Sequence, residues 1–174
     1  MKTKRLTLCA FLTALALVLS IAEKWIPLGL IVPVPGIKLG LANVVTLFAL
    51  TTLRKREAIA ILLCRVTLAS LFAGSVTGFL FSLFGGMLAL LVMALLLRRE
   101  GRWFSLLGIS VAGAAAHNIG QIGAAMLWLG TTDVLGYLPL LLVSSVPMGL
   151  LTGIVCRSVL GHLNKIQILR QNAA

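Results

Sequence analysis

Acidic side chains are nearly missing from this 174-residue chain. Four Asp and Glu stand against 15 Lys and Arg, a net charge of +11. Asp133 is the one aspartate. Most acid–base catalysis, and most Mg²⁺-assisted phosphate chemistry, needs carboxylates in pairs, and this chain cannot supply them. Cysteine is also sparse. Cys9, Cys64 and Cys156 lie in apolar runs, with no CxxC spacing and no adjacent histidine. Neither a metal site nor a disulfide framework is expected from them. No GxxxxGK[ST] loop is present, so ATP is not hydrolysed by that route, and no GxSxG element is present. The chain therefore reads as a non-enzyme that calls for no cofactor. Charged residues of all kinds make up 11%, against about 25% in a soluble domain.

What the chain has instead is length of apolar sequence. Sixty per cent of its residues are hydrophobic, and they fall into runs that suit the ~20 residues needed to cross a bilayer. Six runs are expected to span: Leu6–Ala22, Ile37–Leu53, Ala58–Ala73, Val76–Leu97, Trp103–Gly130 and Gly136–Leu160. In lipid the backbone must satisfy its own hydrogen bonds, which favours helices. A closed barrel would show alternating segments of about ten residues, and these runs are continuous. The expected fold is all-α, a single polytopic transmembrane domain over residues 1–174. The third and fourth runs are separated by only Gly74 and Ser75, the least marked of the boundaries. The first run also has the basic start and the Ser20-Ile21-Ala22 ending of a signal peptide, but at about 17 residues it exceeds the usual apolar region of one.

The basic residues set an orientation. Lys2, Lys4 and Arg5 precede the first run. Arg54, Lys55 and Arg56 follow the second, Arg98, Arg99 and Arg102 follow the fourth, and Arg157, Lys165 and Arg170 close the sixth. Six crossings place these twelve of the 15 basic residues on one face, and the positive-inside rule makes that face cytoplasmic. Both termini are then expected inside, in the cytoplasmic (inner) membrane. A nucleic-acid partner, the usual reading of such charge, is set aside because the basic residues sit between apolar runs.

Polar residues inside the runs are costly, about 2.5–3.5 kcal/mol for an arginine at a helix centre, and each is a candidate site residue. Arg65 lies near the middle of the third run. His117 and Gln121 share a helical face in the fifth, with Asn118 beside them. Lys38 opens the second run and Asn43 follows it. Glu23, Glu57, Glu100 and Asp133 all read as loop or run-end residues, so the interior is expected to be acid-free. An unpaired buried cation awaits a partner. The expected partner is a small anionic ligand, a carboxylate or phosphate that Arg65 grips with its fork, with help from Lys38 and His117. Plainer roles exist for each: Lys38 snorkelling to the interface, His117 bonding a carbonyl, Asn118 and Gln121 joining helices, Arg65 capping helix-end carbonyls. A stripe of Gly113, Ala116, Gly120 and Ala124 points to close helix packing. Residues 23–36 carry Pro27, Pro33 and Pro35, stiff enough for a cover over an outward pocket. Pro147, with Ser144 and Ser145 to serve freed carbonyls, is expected to kink the sixth run.

Three stretches resemble a known family: Pro35-Gly36-Ile37-Lys38-Leu39-Gly40-Leu41-Ala42-Asn43, Gly113-Ala114-Ala115-Ala116-His117-Asn118-Ile119-Gly120-Gln121, and Arg65-Val66-Thr67-Leu68-Ala69-Ser70 with the later Gly85-Gly86. They resemble the Gx transporter family, often labelled heptaprenyl diphosphate synthase component I, over nearly the whole chain. That family in turn resembles the substrate-binding S-components of energy-coupling-factor (ECF) vitamin transporters. The resemblance implies a six-helix bundle, an outward-facing small-molecule pocket under a cover loop, and an AxxxA motif on the first helix that docks a coupling subunit, matched here by Ala10 and Ala14. On this reading the chain binds a small, anionic molecule, such as a vitamin or a quinone or isoprenoid precursor, and a partner ATPase module supplies the energy. The other label implies a non-catalytic accessory subunit of a heptaprenyl diphosphate synthase. Prenyl diphosphate synthases resemble one another in DDxxD motifs, which this chain lacks.

Overall fold

The computed structural model describes residues 2–23, 40–101 and 103–172, with side chains over 3–23, 40–101 and 103–165. Six α-helices follow one another: α1 (Lys2–Ala22), α2 (Asn43–Thr52), α3 (Lys55–Ala73), α4 (Val76–Leu96), α5 (Leu106–Leu129) and α6 (Leu138–Asn172). No strand occurs among the described residues. The all-α expectation holds. The thin boundary between the third and fourth runs is real: Gly74 closes α3 in the left-handed region (φ +60°), and the Ser75 hydroxyl caps α4 by accepting from Gly78 N–H at 3.0 Å. A left-handed residue after a helix is a glycine position, and serine is a favoured cap. Ser105 opens α5 in the same way through Gly108 N–H, which moves the start of that helix from Trp103 to Leu106.

Among the described residues, three helical stretches are long and apolar enough to cross a membrane, Thr3–Ala22, Val76–Arg99 and Asp133–Lys165. α3 carries Lys55, Arg56, Glu57 and Arg65, and α5 carries His117, Asn118 and Gln121. α2 is ten residues long, about 15 Å at 1.5 Å per residue, half the hydrocarbon thickness. The expected second run began at Ile37. The described helix begins at Asn43 because residues 40–42 turn, with Gly40 at φ +86°; the N–H of Asn43 donates to Gly40 O at 2.9 Å. Large apolar side chains face outward on several helices: Phe11, Leu71, Phe72, Leu127 and Val143 are each more than 60% exposed. Water would penalise that surface, and a bilayer would not. This is a membrane protein.

α5 is the central packing element, held between α4 and α6. Small residues allow it. A Cβ on Gly120 would lie 2.6 Å from Phe84 O and 2.8 Å from Gly85 Cα, so here the backbones of α4 and α5 touch. Gly113 accepts the Met93 side chain, and Gly149 of α6 rests on the backbone of Val111. Ala116 and Ala124 of the same stripe are buried. On the other side, Leu12 and Ala16 of α1 pack with Val45, Ala49, Ile61, Leu62 and Val66 of α2 and α3. Pro147 lies inside α6, but Ser144 and Ser145 donate to the carbonyls of Leu141 and Leu142. The serines therefore serve carbonyls other than that of Val143, the one Pro147 deprives of a donor.

Gly120→Ala is expected to lower stability by about 1–3 kcal/mol, because rigid backbone must move apart. Gly123→Ala, on the same helix with nothing within 4 Å of the added carbon, is expected to be neutral or stabilising. Thermal unfolding of both variants in detergent checks this; equal losses would show that α4 and α5 are not in backbone contact at Gly120.

Candidate functional site

Polar side chains converge where α1, α3, α4 and α5 meet. Ser20, Glu23, Gly40, Arg65, Ser82 and His117, with Val66 and Ala69, line one small cavity of about 10 Å³. Ser20, Glu23, Asn43, Arg65, Ser82, His117, Asn118 and Gln121 are all buried. Each arrives by helical register. Leu12, Ala16 and Ser20 succeed one another at four-residue intervals on the inward stripe of α1, and Glu23 continues it three residues on. Arg65 follows Ile61 and Leu62 on the buried face of α3. His117 and Gln121 sit one turn apart on α5, and both flank Gly85 of α4: a Cβ there would lie 2.9 Å from Gln121 Cγ and 3.0 Å from His117 Nδ1. Gly86 leaves room for Arg65, since a Cβ would lie 3.4 Å from its Nη2 and 2.7 Å from Leu62 Cδ1.

The expectation of an acid-free interior is corrected by Glu23. This residue closes the first apolar run and reads as a loop acid, yet it is 3% exposed and lines the cavity with Arg65. Its Oε1 accepts from the backbone N–H groups of Gly40 and Leu41, and its charge acts on Arg65. The fold stabilises it because two backbone amides replace part of the water it gives up, with the Arg65 guanidinium across the same cavity. The interior therefore holds a resident counter-charge, and the charge of Arg65 does not by itself demand an incoming anion.

Arg65 is still only partly engaged. Nη1 donates to Ser20 Oγ at 3.4 Å, while Nε and Nη2 have no hydrogen-bond partner among the described residues. These two N–H groups form the side-on fork that receives the two oxygens of a carboxylate or phosphate. Neither amide atom of Asn43 has a partner among the described residues. Asn43 and His117 both abut Gly40, whose missing side chain would meet Asn43 Nδ2 at 2.7 Å and His117 Cδ2 at 3.0 Å. A cavity of this size suits about one water molecule. A small-molecule pocket is usually ~300–1,000 Å³, so a ligand enters only if the walls separate.

The structure thus gathers Arg65 and His117 at the cavity, with Asn43 and Gln121 against them. Asn118 is turned elsewhere: its Nδ2 donates to Leu141 O of α6 at 2.6 Å, joining two helices. Lys38 and the proline-rich cover lie outside the described residues. Ala10 and Ala14 are exposed on the outer side of α1, open to a neighbouring helix. The residues missed from sequence are Glu23, Ser20 and Ser82. The signal for the first two was the inward stripe from Leu12, which runs on past the apolar residues.

A family described as heptaprenyl diphosphate synthase component I matches residues 12–159. The chain belongs to the heptaprenyl diphosphate synthase component I family. That match takes in every residue of the cavity, from Ser20 on α1 to His117 on α5. No curated protein and no solved structure matches it significantly. In this member of the heptaprenyl diphosphate synthase component I family, the most polar point of the bundle is a shared cavity and not a row of independent helix contacts.

If Glu23 and Arg65 stabilise one another, each of Glu23→Gln and Arg65→Gln is expected to cost about 3 kcal/mol by leaving a buried charge uncompensated. The double variant is expected to lose clearly less than the sum. Thermal unfolding of the four proteins measures the coupling, and strict additivity would show that the two charges act independently.

Proposed function

We propose that this chain is the substrate-binding membrane subunit of a transport system, similar in architecture to ECF S-components. On this reading the six apolar runs cross the bilayer, the second by way of residues before α2 as well as α2 itself, with both termini in the cytoplasm. The observation that carries the reading is the convergence of polar side chains from α1 to α5 around Arg65, whose fork is open. Ionisable residues at such depth mark substrate paths more often than packing. Leu8 near the start of α1 and Leu163 near the end of α6 line one groove, which supports termini on the same side. The basic clusters at 54–56 and at 98 and 99 lie at the α2–α3 and α4–α5 connections, the other junctions of that side.

The ligand is a small molecule with a carboxylate or phosphate group for Nε and Nη2 of Arg65 and further polar groups for Asn43 and His117. It competes with Glu23 for the guanidinium, so binding includes a rearrangement of the Glu23–Gly40 contact. The chain has no ATP site of its own, so uptake draws on a partner ATPase module through a coupling subunit that meets Ala10 and Ala14. The chain is itself non-catalytic. The family description favours a second reading, an accessory membrane subunit that assists a prenyl-chain synthase without chemistry of its own.

Native mass spectrometry of the purified protein is expected to find a retained acidic small molecule, lost in Arg65→Ala by at least about 100-fold in affinity, as when a charge-assisted bidentate contact is removed. Equal retention by both proteins would overturn the assignment of Arg65. Heptaprenyl diphosphate synthesis that appears in a reconstituted mixture only when this chain is added would favour the accessory reading instead.

A further inference from the structure

The polar cavity is balanced in charge before any ligand enters it. Among the described residues, the titratable or charged side chains around it are Glu23 at the end of α1, Arg65 of α3 and His117 of α5; Lys38 lies outside them. Ser20 of α1 and Ser82 of α4 do not ionise. The turn before α2 offers backbone amides, and α6 lends the cavity no lining residue. With a neutral imidazole, the Glu23 carboxylate and the Arg65 guanidinium sum to zero. The two are 3% and 5% exposed, so water screens neither charge well. An anion that docks on Nε and Nη2 of Arg65 breaks this balance. It places a second negative charge in the same small space as Glu23, which is anchored there by the N–H groups of Gly40 and Leu41. Two carboxylates that share one poorly screened site hold a proton between them, and acids within a membrane bundle mark proton paths in transporters.

We infer that the cavity takes up a small monocarboxylate together with one proton, and that Glu23 receives the proton. This rests on the reading of the cavity as the substrate site, and it adds the class of substrate and the ion that accompanies it. The proton comes from the surrounding solution and forms an O–H bond on the Glu23 carboxylate; no other covalent bond is made or broken. The cavity then holds neutral Glu23, the Arg65 guanidinium and the bound carboxylate, so its charge is zero before and after. A dianion would leave one negative charge unbalanced in the interior, which is costly. Protonation also changes what Glu23 can do. The neutral acid becomes a hydrogen-bond donor, suited to the oxygens of the arriving carboxylate. Its contacts with the Gly40 and Leu41 amides lose their charge assistance and loosen, which eases the separation of walls that now enclose about 10 Å³.

The test follows proton uptake by the full chain in detergent, in weakly buffered solution with a pH-indicating dye, as acetate, benzoate or hexanoate is added as probe. Saturable binding with one proton taken up per probe molecule is expected, together with the infrared C=O stretch of a newly protonated carboxyl group. Affinity is expected to fall about tenfold per pH unit on the alkaline side, as linkage to one proton requires. Glu23→Gln has nearly the shape of the neutral acid. It is expected to bind at least about tenfold more tightly than wild type one pH unit or more into that range, with no proton uptake and a flat pH profile. His117→Gln is expected to bind more weakly yet keep the wild-type slope. Arg65→Gln is expected to bind at least about 100-fold more weakly. The proton count is read on the wild type and does not depend on any variant folding. Binding that needs Arg65 but takes up no proton would overturn the proton coupling and leave the substrate site standing. Proton uptake lost in His117→Gln and kept in Glu23→Gln would overturn it as well, by placing the proton on the imidazole. Absence of Arg65-dependent binding for all three probes would overturn the coupling and the substrate site together.

Discussion

Hydrocarbon offers no hydrogen bonds, so each polar group carried into the bundle needs a partner within it. The carboxylate of Glu23 shows this constraint most plainly. It is satisfied by two backbone amides on the far side of a connection seventeen residues away in sequence, and it gives Arg65 a counter-charge. Without that arrangement an arginine on the inner face of α3 would be a buried, uncompensated cation. The positions of Ser20, Gly40 and Ser82 follow from the same need, since together they complete the polar wall around the guanidinium.

Close packing of α4, α5 and α6 depends on the absence of side chains. Gly85 and Gly86 admit His117, Gln121 and Arg65, while Gly120 and Gly149 bring backbones into contact. The two demands are linked. Polar groups from four helices reach one cavity of about 10 Å³ only because the helices approach closely enough for short side chains such as Ser20 and Ser82 to take part. Small residues at membrane helix interfaces serve this purpose generally; here they position chemistry as well as packing.

The two flanks of the bundle differ in character. One holds a closed, polar, charge-balanced cavity. The other holds an open apolar groove between α1, α2 and α6. On the proposed reading, a ligand for the first would have to displace internal contacts and would be selected by hydrogen-bond geometry.

Much of this was legible in the sequence. Length and continuity of the apolar runs determined six helices and most of their ends, because hydropathy over twenty residues is a local property; α2 starts six residues later and α6 runs twelve residues further than the runs suggested. Gly74-Ser75 marked a boundary for a local reason too, a left-handed glycine followed by a cap. The cost of polar groups in lipid marked Arg65, His117 and Gln121 as inward-facing before any packing was known. Tertiary structure alone decided the rest. It separated Asn118, bound to Leu141 of α6, from His117 beside it in sequence. It brought Glu23 into the interior, because the amides that donate to its carboxylate belong to Gly40 and Leu41, and nothing local to Glu23 announces them. It also set the groove between α1 and α6, whose facing residues are some 140 positions apart in the chain. Local sequence determines which segments become helices and which faces turn inward; long-range packing decides which polar groups meet there, since partners are chosen in space.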